Sequence, residues 1–156
     1  MQAFDHLNNL VAELGRRNNI ADTQLAADGS FGLKLADGTE VSFELIDDVL
    51  YLYGIICPLP PQPEQRRRVY EVLLESNCLG AGTSGGVLSL HGQLESFVYH
   101  LALAPEALDL DALETALASV GQHCAFYLGI INRLLSQAEA TPVETTFGTP
   151  TMLMSA

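Results

Sequence analysis

The sequence predicts a single α+β domain in which helices pack on a twisted antiparallel sheet, in the order α-βββ-α-ββ-α. Apolar residues at helical spacing alternate along the chain with segments of period two. Turn residues join neighbouring period-two segments, which makes the predicted strands antiparallel. With 156 residues, 48% of them hydrophobic, the chain is long enough to bury one core. We expect residues 1–139 to form this domain, and the Thr- and Pro-containing residues 140–156 to be a loose tail.

The first helix is predicted from the helical spacing of five apolar residues, Phe4, Leu7, Leu10, Val11 and Leu14. Two period-two segments follow, at residues 31–35 and 41–45. Asp37-Gly38 is predicted to join them in a type I′ turn, because glycine tolerates positive φ.

A second turn is predicted at Asp47-Asp48, followed by a third strand over residues 49–57. This strand is almost continuously apolar, which is typical of a strand that is buried on both faces. A proline-rich connector then ends the sheet, because proline cannot donate to a strand ladder. The last of these prolines, Pro63, is suited to the first turn of a second helix that runs to about Asn77.

The remaining elements are a loop, a hairpin and a long helix. Gly80–Gly86 is expected to be a flexible loop, and a second hairpin is predicted across His91-Gly92. Asp109 is placed to cap the last helix by accepting backbone N–H bonds. The apolar stripe of that helix consists of Leu110, Leu113, Leu117, Val120, Cys124, Leu128, Ile131 and Leu135.

The chain is strongly acidic, with 19 Asp and Glu against 7 Lys and Arg and a formal net charge of −12. This charge argues against nucleic acid and anionic membranes as partners and favours a basic or weakly charged polypeptide. The sequence contains no apolar run long enough to span a membrane and no N-terminal Sec signal. The three cysteines, Cys57, Cys78 and Cys124, have no metal or redox spacing, and we interpret them as reduced thiols of a cytosolic protein.

Two glycine motifs in the loop suggest enzymes, but both lack the necessary context. Gly80, Gly82 and Gly85 match a dinucleotide-binding pattern, which requires a strand before it and a helix after it. Here a predicted helix precedes the motif and a strand follows it. Ser84 lies in a GxSxG pattern, and Asp109 and His123 follow in the order of a hydrolase triad. A serine nucleophile in this motif lies on a turn from a strand to a helix, whereas this loop is predicted to lead from a helix to a strand.

The sequence also gives little support for other catalytic or metal-binding residues. The four histidines show no metal-ligand spacing, and the aspartate pairs fit turns and caps better than an acid/base pair. Cys57 lies at a strand end before a proline, where a structural thiol is more common than a nucleophile. We therefore expect no enzyme, no metal and no cofactor.

The helix end Leu73-Leu-Glu-Ser-Asn77, the glycine loop before Val87–Leu90, and the long last helix occur in the order that class I chaperones of bacterial type III secretion share. The chain resembles this family, the Tir chaperone-like proteins, over about residues 3–137. It differs in having no tryptophan in the last helix, where it has Tyr127, and in its proline-rich connector.

The resemblance implies a cytoplasmic bacterial homodimer that binds the N-terminal segment of a secreted effector and keeps it extended, with the secretion ATPase as a further partner. An extended segment can add a strand to an open sheet edge and place alternate side chains in apolar pockets. The candidate effector-binding residues are Phe4, Leu7, Leu10, Leu14, Leu33, Leu35, Val41 and Phe43. The candidate dimer residues on the second helix and fourth strand are Val69, Val72, Leu73, Leu88 and Leu90.

Two other functions stay open at this point. A regulator of the same fold would sequester a cytosolic partner to control transcription. A small hydrolase or thiol enzyme would use Ser84 or Cys57 as its nucleophile.

Overall fold

The computed structural model of the chain describes residues 2–139 and confirms the predicted α+β order. The helices are α1 (Gln2–Arg17), α2 (Pro63–Asn77) and α3 (Leu110–Glu139). The strands are β1 (Ser30–Lys34), β2 (Glu40–Ile46), β3 (Val49–Pro58), β4 (Val87–His91) and β5 (Ser96–Leu103). Short 3₁₀ turns lie at Cys78–Gly80 and Pro105–Ala107. The tail predicted over residues 140–156 lies outside the described residues.

The five strands form one antiparallel sheet in the order β1-β2-β3-β5-β4. The strands β1 and β4 are therefore its two edges. Helix α3 crosses the inner strands β3 and β5, α2 lies against β4, and α1 packs against α3. The core lies between these helices and one face of the sheet.

The predicted type I′ turn at Asp37-Gly38 is wrong. A type I′ turn needs positive φ at both central residues, and only Gly38 has it, with φ of 91°. The connection between β1 and β2 is instead a five-residue loop, 35–39, in which the Thr39 N–H bonds the Asp37 carboxylate at 2.9 Å. The predicted turn at Asp47-Asp48 is confirmed as a two-residue connection, with φ of 50° and 59° at the two aspartates.

The expectation that β3 is buried on both faces is also wrong. Its residues alternate between buried and half-buried along the whole strand. Leu50 and Leu52 point into the core, whereas Tyr51 and Tyr53 lie on the opposite face. The helices cover only one face of the sheet, so apolar character on the second face reflects strand propensity rather than full burial.

Two glycines allow α3 to approach the sheet closely. A Cβ atom at Gly54 of β3 would lie 2.6 Å from the Cys124 sulfur and 2.7 Å from a Val120 methyl carbon. A Cβ atom at Gly121 of α3 would lie 2.9 Å from a Leu35 methyl carbon. The first glycine seats α3 on β3, and the second lets the 35–39 loop lie against α3.

Both predicted helix starts are confirmed. Asp109 accepts the Ala112 N–H at 2.7 Å, which satisfies one unpaired donor at the start of α3. Pro63 occupies the first turn of α2. Most of the predicted α3 stripe is buried, but Leu128 is 37% exposed, and the stripe omitted two core residues, Ala116 and Tyr127.

The glycine loop is anchored, in contrast to the flexibility expected of it. The Tyr127 hydroxyl donates to the Gly82 carbonyl at 2.7 Å, and the Tyr99 hydroxyl donates to the Thr83 carbonyl at the same distance. A Cβ at Gly86 would lie 2.4 Å from the Tyr99 ring, so this glycine lets the loop pass over the aromatic side chain. The loop is therefore a packed part of the domain.

Candidate partner-binding groove and sheet edges

An apolar groove of about 460 Å³ lies where the end of α1, the strand β1 and the middle of α3 meet. Four leucines line it, Leu14 from α1, Leu33 and Leu35 from the β1 segment, and Leu117 from α3. Ile20, which follows α1, is exposed at its mouth. Three separate segments of the chain thus build a surface that suits apolar side chains of a ligand.

The strand β1 borders this groove and has an unpaired edge. Backbone groups of a strand point alternately to its two sides. Gly29 and Leu35 bond toward β2, since the Leu45 N–H donates to Gly29 and the Leu35 N–H donates to Thr39. The N–H and C=O groups of Gly32 and Lys34 therefore point outward, and no strand within residues 2–139 pairs with them.

The opposite edge of the sheet, β4, is closed at its second residue, Leu88. The Asn77 side chain donates to the Leu88 carbonyl at 2.8 Å and accepts the Leu88 N–H at 2.9 Å. The amide of Asn77 thus imitates one residue of a neighbouring strand. Edge strands are commonly protected against unwanted pairing, and this contact protects β4 while β1 stays open.

The charges around the groove are mixed. At its mouth lie Lys34, Asp37 and Glu114. Arg17 donates to Glu114 at 2.7 Å and to Asp111 at 2.8 Å, which links the end of α1 to the start of α3. Hydrogen bonds from the Thr39 backbone N–H, and secondarily from its hydroxyl, hold the pKa of Asp37 below its usual range, so this carboxylate is charged at neutral pH.

The structure separates the eight candidate effector-binding residues into two groups. It places Leu7, Leu10, Leu14, Val41 and Phe43 in the core. The half-buried residues are Phe4, Leu33 and Leu35. Helix α1 packs its apolar stripe inward, so most of these side chains offer no accessible surface. Only Leu14, Leu33 and Leu35 come together, and they line the groove.

The candidate dimer residues divide in the same way. Val69, Leu73 and Leu88 are buried in the domain, Val72 is half-buried, and Leu90 is exposed. The two buried candidates on α2, Val69 and Leu73, face the chain's own sheet rather than solvent.

Two leucines outside the candidate set are more exposed than any of the candidate dimer residues. Leu74 of α2 is 70% exposed, and Leu79 after α2 is 99% exposed. Leu79 also has a φ of 55°, which is an uncommon conformation for a leucine. We name Leu74, Leu79 and Leu90 the α2–β4 surface. The sequence signal for this surface was Leu74, an apolar residue that does not share a helix face with the buried Val69 and Leu73.

The proposed catalytic constellations are not assembled. Asp109 caps the first turn of α3, whereas His123 lies 14 positions later on the same helix, about 21 Å away along its axis. The His123 ring stacks on Tyr99 with centroids 4.4 Å apart, and its Nδ1 lies 2.8 Å from the Ser119 carbonyl. Ser84 is exposed in the glycine loop.

Burial also disfavours a nucleophilic role for Cys57, because it raises the pKa of that thiol. The glycine loop leads from a 3₁₀ turn into β4, so it does not open a helix that could bind a phosphate. Among residues 2–139, no group of three or more His, Cys, Asp or Glu side chains is placed to hold a metal ion. In the same range, no helix is long and apolar enough to span a membrane.

Several solved structures share this fold at low sequence identity. The ExsC–ExsE complex matches with a TM-score of 0.70 and 16% identity, over 82% of this chain and 95% of that one. The HopA1–SchA chaperone–effector complex matches with a TM-score of 0.64 and 14% identity, over 83% and 98% of the two chains. The Yersinia pestis type III secretion chaperone SycH, in complex with a stable fragment of YscM2, matches with a TM-score of 0.59 and 12% identity, over 77% and 98%.

The comparison with curated proteins finds no significant sequence match. The model of the Tir chaperone protein (CesT) family matches residues 9–124, which is well over half of the chain and extends from α1 into α3. The chain therefore belongs to the Tir chaperone protein (CesT) family.

Proposed function

We propose that this protein is a cytoplasmic type III secretion chaperone that binds the N-terminal segment of a secreted effector and keeps it extended. The observation that carries the proposal is the open edge of β1 beside an apolar groove, in a fold of the CesT family. The similar structures support it, because two of them are described as complexes of a chaperone with an effector or with a protein fragment. The secretion ATPase stays a predicted partner.

The binding mode follows from the geometry of this edge. An extended segment adds a sixth strand by bonding the outward backbone groups of Gly32 and Lys34. Alternate side chains of that strand then face the helices and enter the groove between Leu14, Leu33 and Leu117. Such binding uses hydrogen bonds and apolar burial and requires no catalysis, which accords with the separation of Asp109 from His123 along α3.

We also propose that two copies associate through the α2–β4 surface. A two-fold interface uses the same surface on both subunits, and three exposed leucines on the neighbouring elements α2 and β4 favour such use. Leu74 and Leu79 replace the buried Val69 and Leu73 as the central residues of this proposal.

The test is affinity capture from the native bacterial cytosol with the full-length chain. Captured proteins are identified by mass spectrometry, and limited proteolysis maps the protected segment. We expect a secreted protein that is protected near its N-terminus and is lost when Leu33→Asp is used as bait. Phe126→Asp is the matched control, because Phe126 is exposed on α3 and does not line the groove. Capture that is indifferent to Leu33→Asp, or no captured secreted protein, would contradict the proposal.

A further inference from the structure

The strand β3 is longer than its neighbour β2 and leaves a gap in the sheet. Pairing between them begins at Val41 and Gly54, and the chain turns away into the 35–39 loop before Glu40. The strand β3 continues to Pro58 and is paired over this stretch only with β5, for example Ile55 with Val98. Within residues 2–139, no strand lies on the β2 side of residues 55–58.

A pocket of about 320 Å³ lies in this gap, and we name it the β3 notch. Its apolar lining consists of Ile55, Ile56, Cys124, Ala125 and Leu128. Cys124 is buried at its base, whereas Leu128 is partly exposed at the side of α3. The notch thus combines an unpaired stretch of strand with an apolar floor, which are the two elements that bind an extended peptide.

The charged residues that line the β3 notch are both acidic, Asp37 and Glu40. Neither carboxylate forms a salt bridge with a described basic side chain. The net charge of −12 adds to the negative potential of the whole chain. A ligand for the notch should therefore carry positive charge beside its apolar group.

The notch and the groove are neighbours on opposite sides of the 35–39 loop. Asp37 lines both cavities, and Gly121 lets the loop lie flat against α3 between them. From Leu117 in the groove to Leu128 in the notch, α3 rises by about 17 Å. About five residues of extended chain cover that distance.

We propose that the β3 notch binds a second stretch of the same extended effector segment, consisting of an apolar residue flanked by Lys or Arg. This inference rests on the proposed function and adds to it a second contact and a charge preference. The effector segment occupies the groove, passes over the 35–39 loop, and places its next apolar side chain against Ile56 and Leu128. Its basic residue lies against Asp37 and Glu40.

The experiment uses a library of random 20-residue peptides displayed on phage and selected on the immobilised full-length chain. The expected peptides carry two apolar positions about five residues apart, with Lys or Arg beside one of them. Synthetic peptides from the selection are then titrated against variants by fluorescence anisotropy. We expect Leu128→Asp to weaken binding by more than about ten-fold, as is typical for loss of a central apolar contact.

The rim is tested with Glu40→Gln, which removes a charge without changing side-chain shape, at a residue that lines the notch and not the groove. It should weaken binding about three-fold at low salt and reduce the salt dependence. Asp48→Asn is the matched control, because it removes the same charge from a turn elsewhere on the sheet and asparagine accepts positive φ. Glu40 is exposed, so the rim variant disturbs no packing and the test remains valid if Leu128→Asp does not fold.

The possible failures can be told apart. Peptides that depend on Leu33 but are indifferent to Leu128→Asp and to the rim variant would overturn the β3 notch and leave the proposed function standing. A library that yields no binding peptide would overturn both. If Leu128→Asp changes the oligomeric state and leaves peptide affinity unchanged, a second copy of the chain covers the notch and the inference is wrong.

Discussion

The side-chain amide of Asn77 hydrogen-bonds both backbone polar groups of Leu88, with distances of 2.8 Å to the carbonyl oxygen and 2.9 Å to the nitrogen. Asn77 is the last residue of α2, and Leu88 is the second residue of the edge strand β4. One side chain therefore fixes α2 against the sheet and occupies the site where a foreign strand would pair. The same protection is missing at β1, which makes the two edges functionally unequal.

Asn77→Ala should destabilise the fold and open β4. Two backbone groups of Leu88 lose their partners, so the free energy of unfolding should fall by about 1–3 kcal/mol. We expect larger species to form in light scattering, because an open edge strand favours pairing between chains. Urea denaturation and light scattering measure both effects. Asn132→Ala, at an exposed position of α3, is the control, and equal behaviour of the two variants would contradict the role of Asn77.

Gly32→Pro should abolish strand addition at β1 and leave the fold intact. The Gly32 N–H points away from β2, so proline removes a donor that only a partner strand uses. Gly32→Ala keeps the N–H, and its Cβ has no neighbour closer than 4.0 Å. We expect the affinity for a captured effector to fall by about ten-fold or more with proline and to change little with alanine. Equal affinities would place the partner strand elsewhere.

Leu74→Asp combined with Leu79→Asp should dissociate the proposed dimer into monomers. Both side chains are exposed in the single chain, so the substitution should leave the thermal midpoint of the isolated domain almost unchanged. Sedimentation equilibrium measures the association. Phe126→Asp, another exposed apolar position, serves as the control. A double variant that remains dimeric would show that the α2–β4 surface is not the interface.

Gly54→Ala and Gly129→Ala should change stability in opposite directions. At Gly54 the added Cβ would meet Cys124 and Val120 at less than 3 Å, so α3 must move and the free energy of unfolding should fall by about 1–3 kcal/mol. At Gly129 an added Cβ would have no neighbour within 4 Å. Alanine is a better helix former than glycine, so Gly129→Ala should raise the free energy of unfolding by up to about 1 kcal/mol. Urea denaturation of both variants checks the pair. A neutral Gly54→Ala would mean that α3 is not seated closely on β3.

Cys124 should make the domain sensitive to alkaline pH. Burial raises the pKa of its thiol from 9.0 to about 12, so the folded state keeps the proton more tightly than the unfolded state. This contribution to stability is complete below about pH 9 and is lost as the pH rises toward 12. Urea denaturation at several pH values should show a shallower decline for Cys124→Ala than for the unmodified protein. Parallel declines would show that the thiol ionises freely in the folded state.

The order of elements and the helix starts could be predicted because they depend on short-range signals. Asp109 caps α3 through a bond to the residue three positions later, and Asp47-Asp48 closes a two-residue hairpin. The prediction of a type I′ turn at Asp37-Gly38 was wrong because the register between β1 and β2 sets the length of the loop. Phe31 pairs with Phe43 across β1 and β2, with ring centroids 5.3 Å apart, and this pairing leaves five residues to the loop.

The candidate binding residues were predicted less well, because periodicity identifies an apolar face without saying what covers it. The apolar faces of α1 and α2 were offered as partner surfaces, but Leu7 and Val69 are fully enclosed by the chain itself. Leu74 had no place in the periodic pattern of α2, and the fold leaves it in solvent. Burial depends on distant segments, which a local pattern does not contain.

The α+β order, the acidic character and the resemblance to secretion chaperones are all apparent in the sequence, since they follow from composition and from patterns within a few residues. The folded chain was needed to show that β1 is the open edge, that Asn77 caps Leu88 of β4, and that Leu14, Leu33 and Leu117 meet in one groove. These relationships join residues that are far apart in the chain. They exist only after the helices have packed on the sheet and the strands have paired.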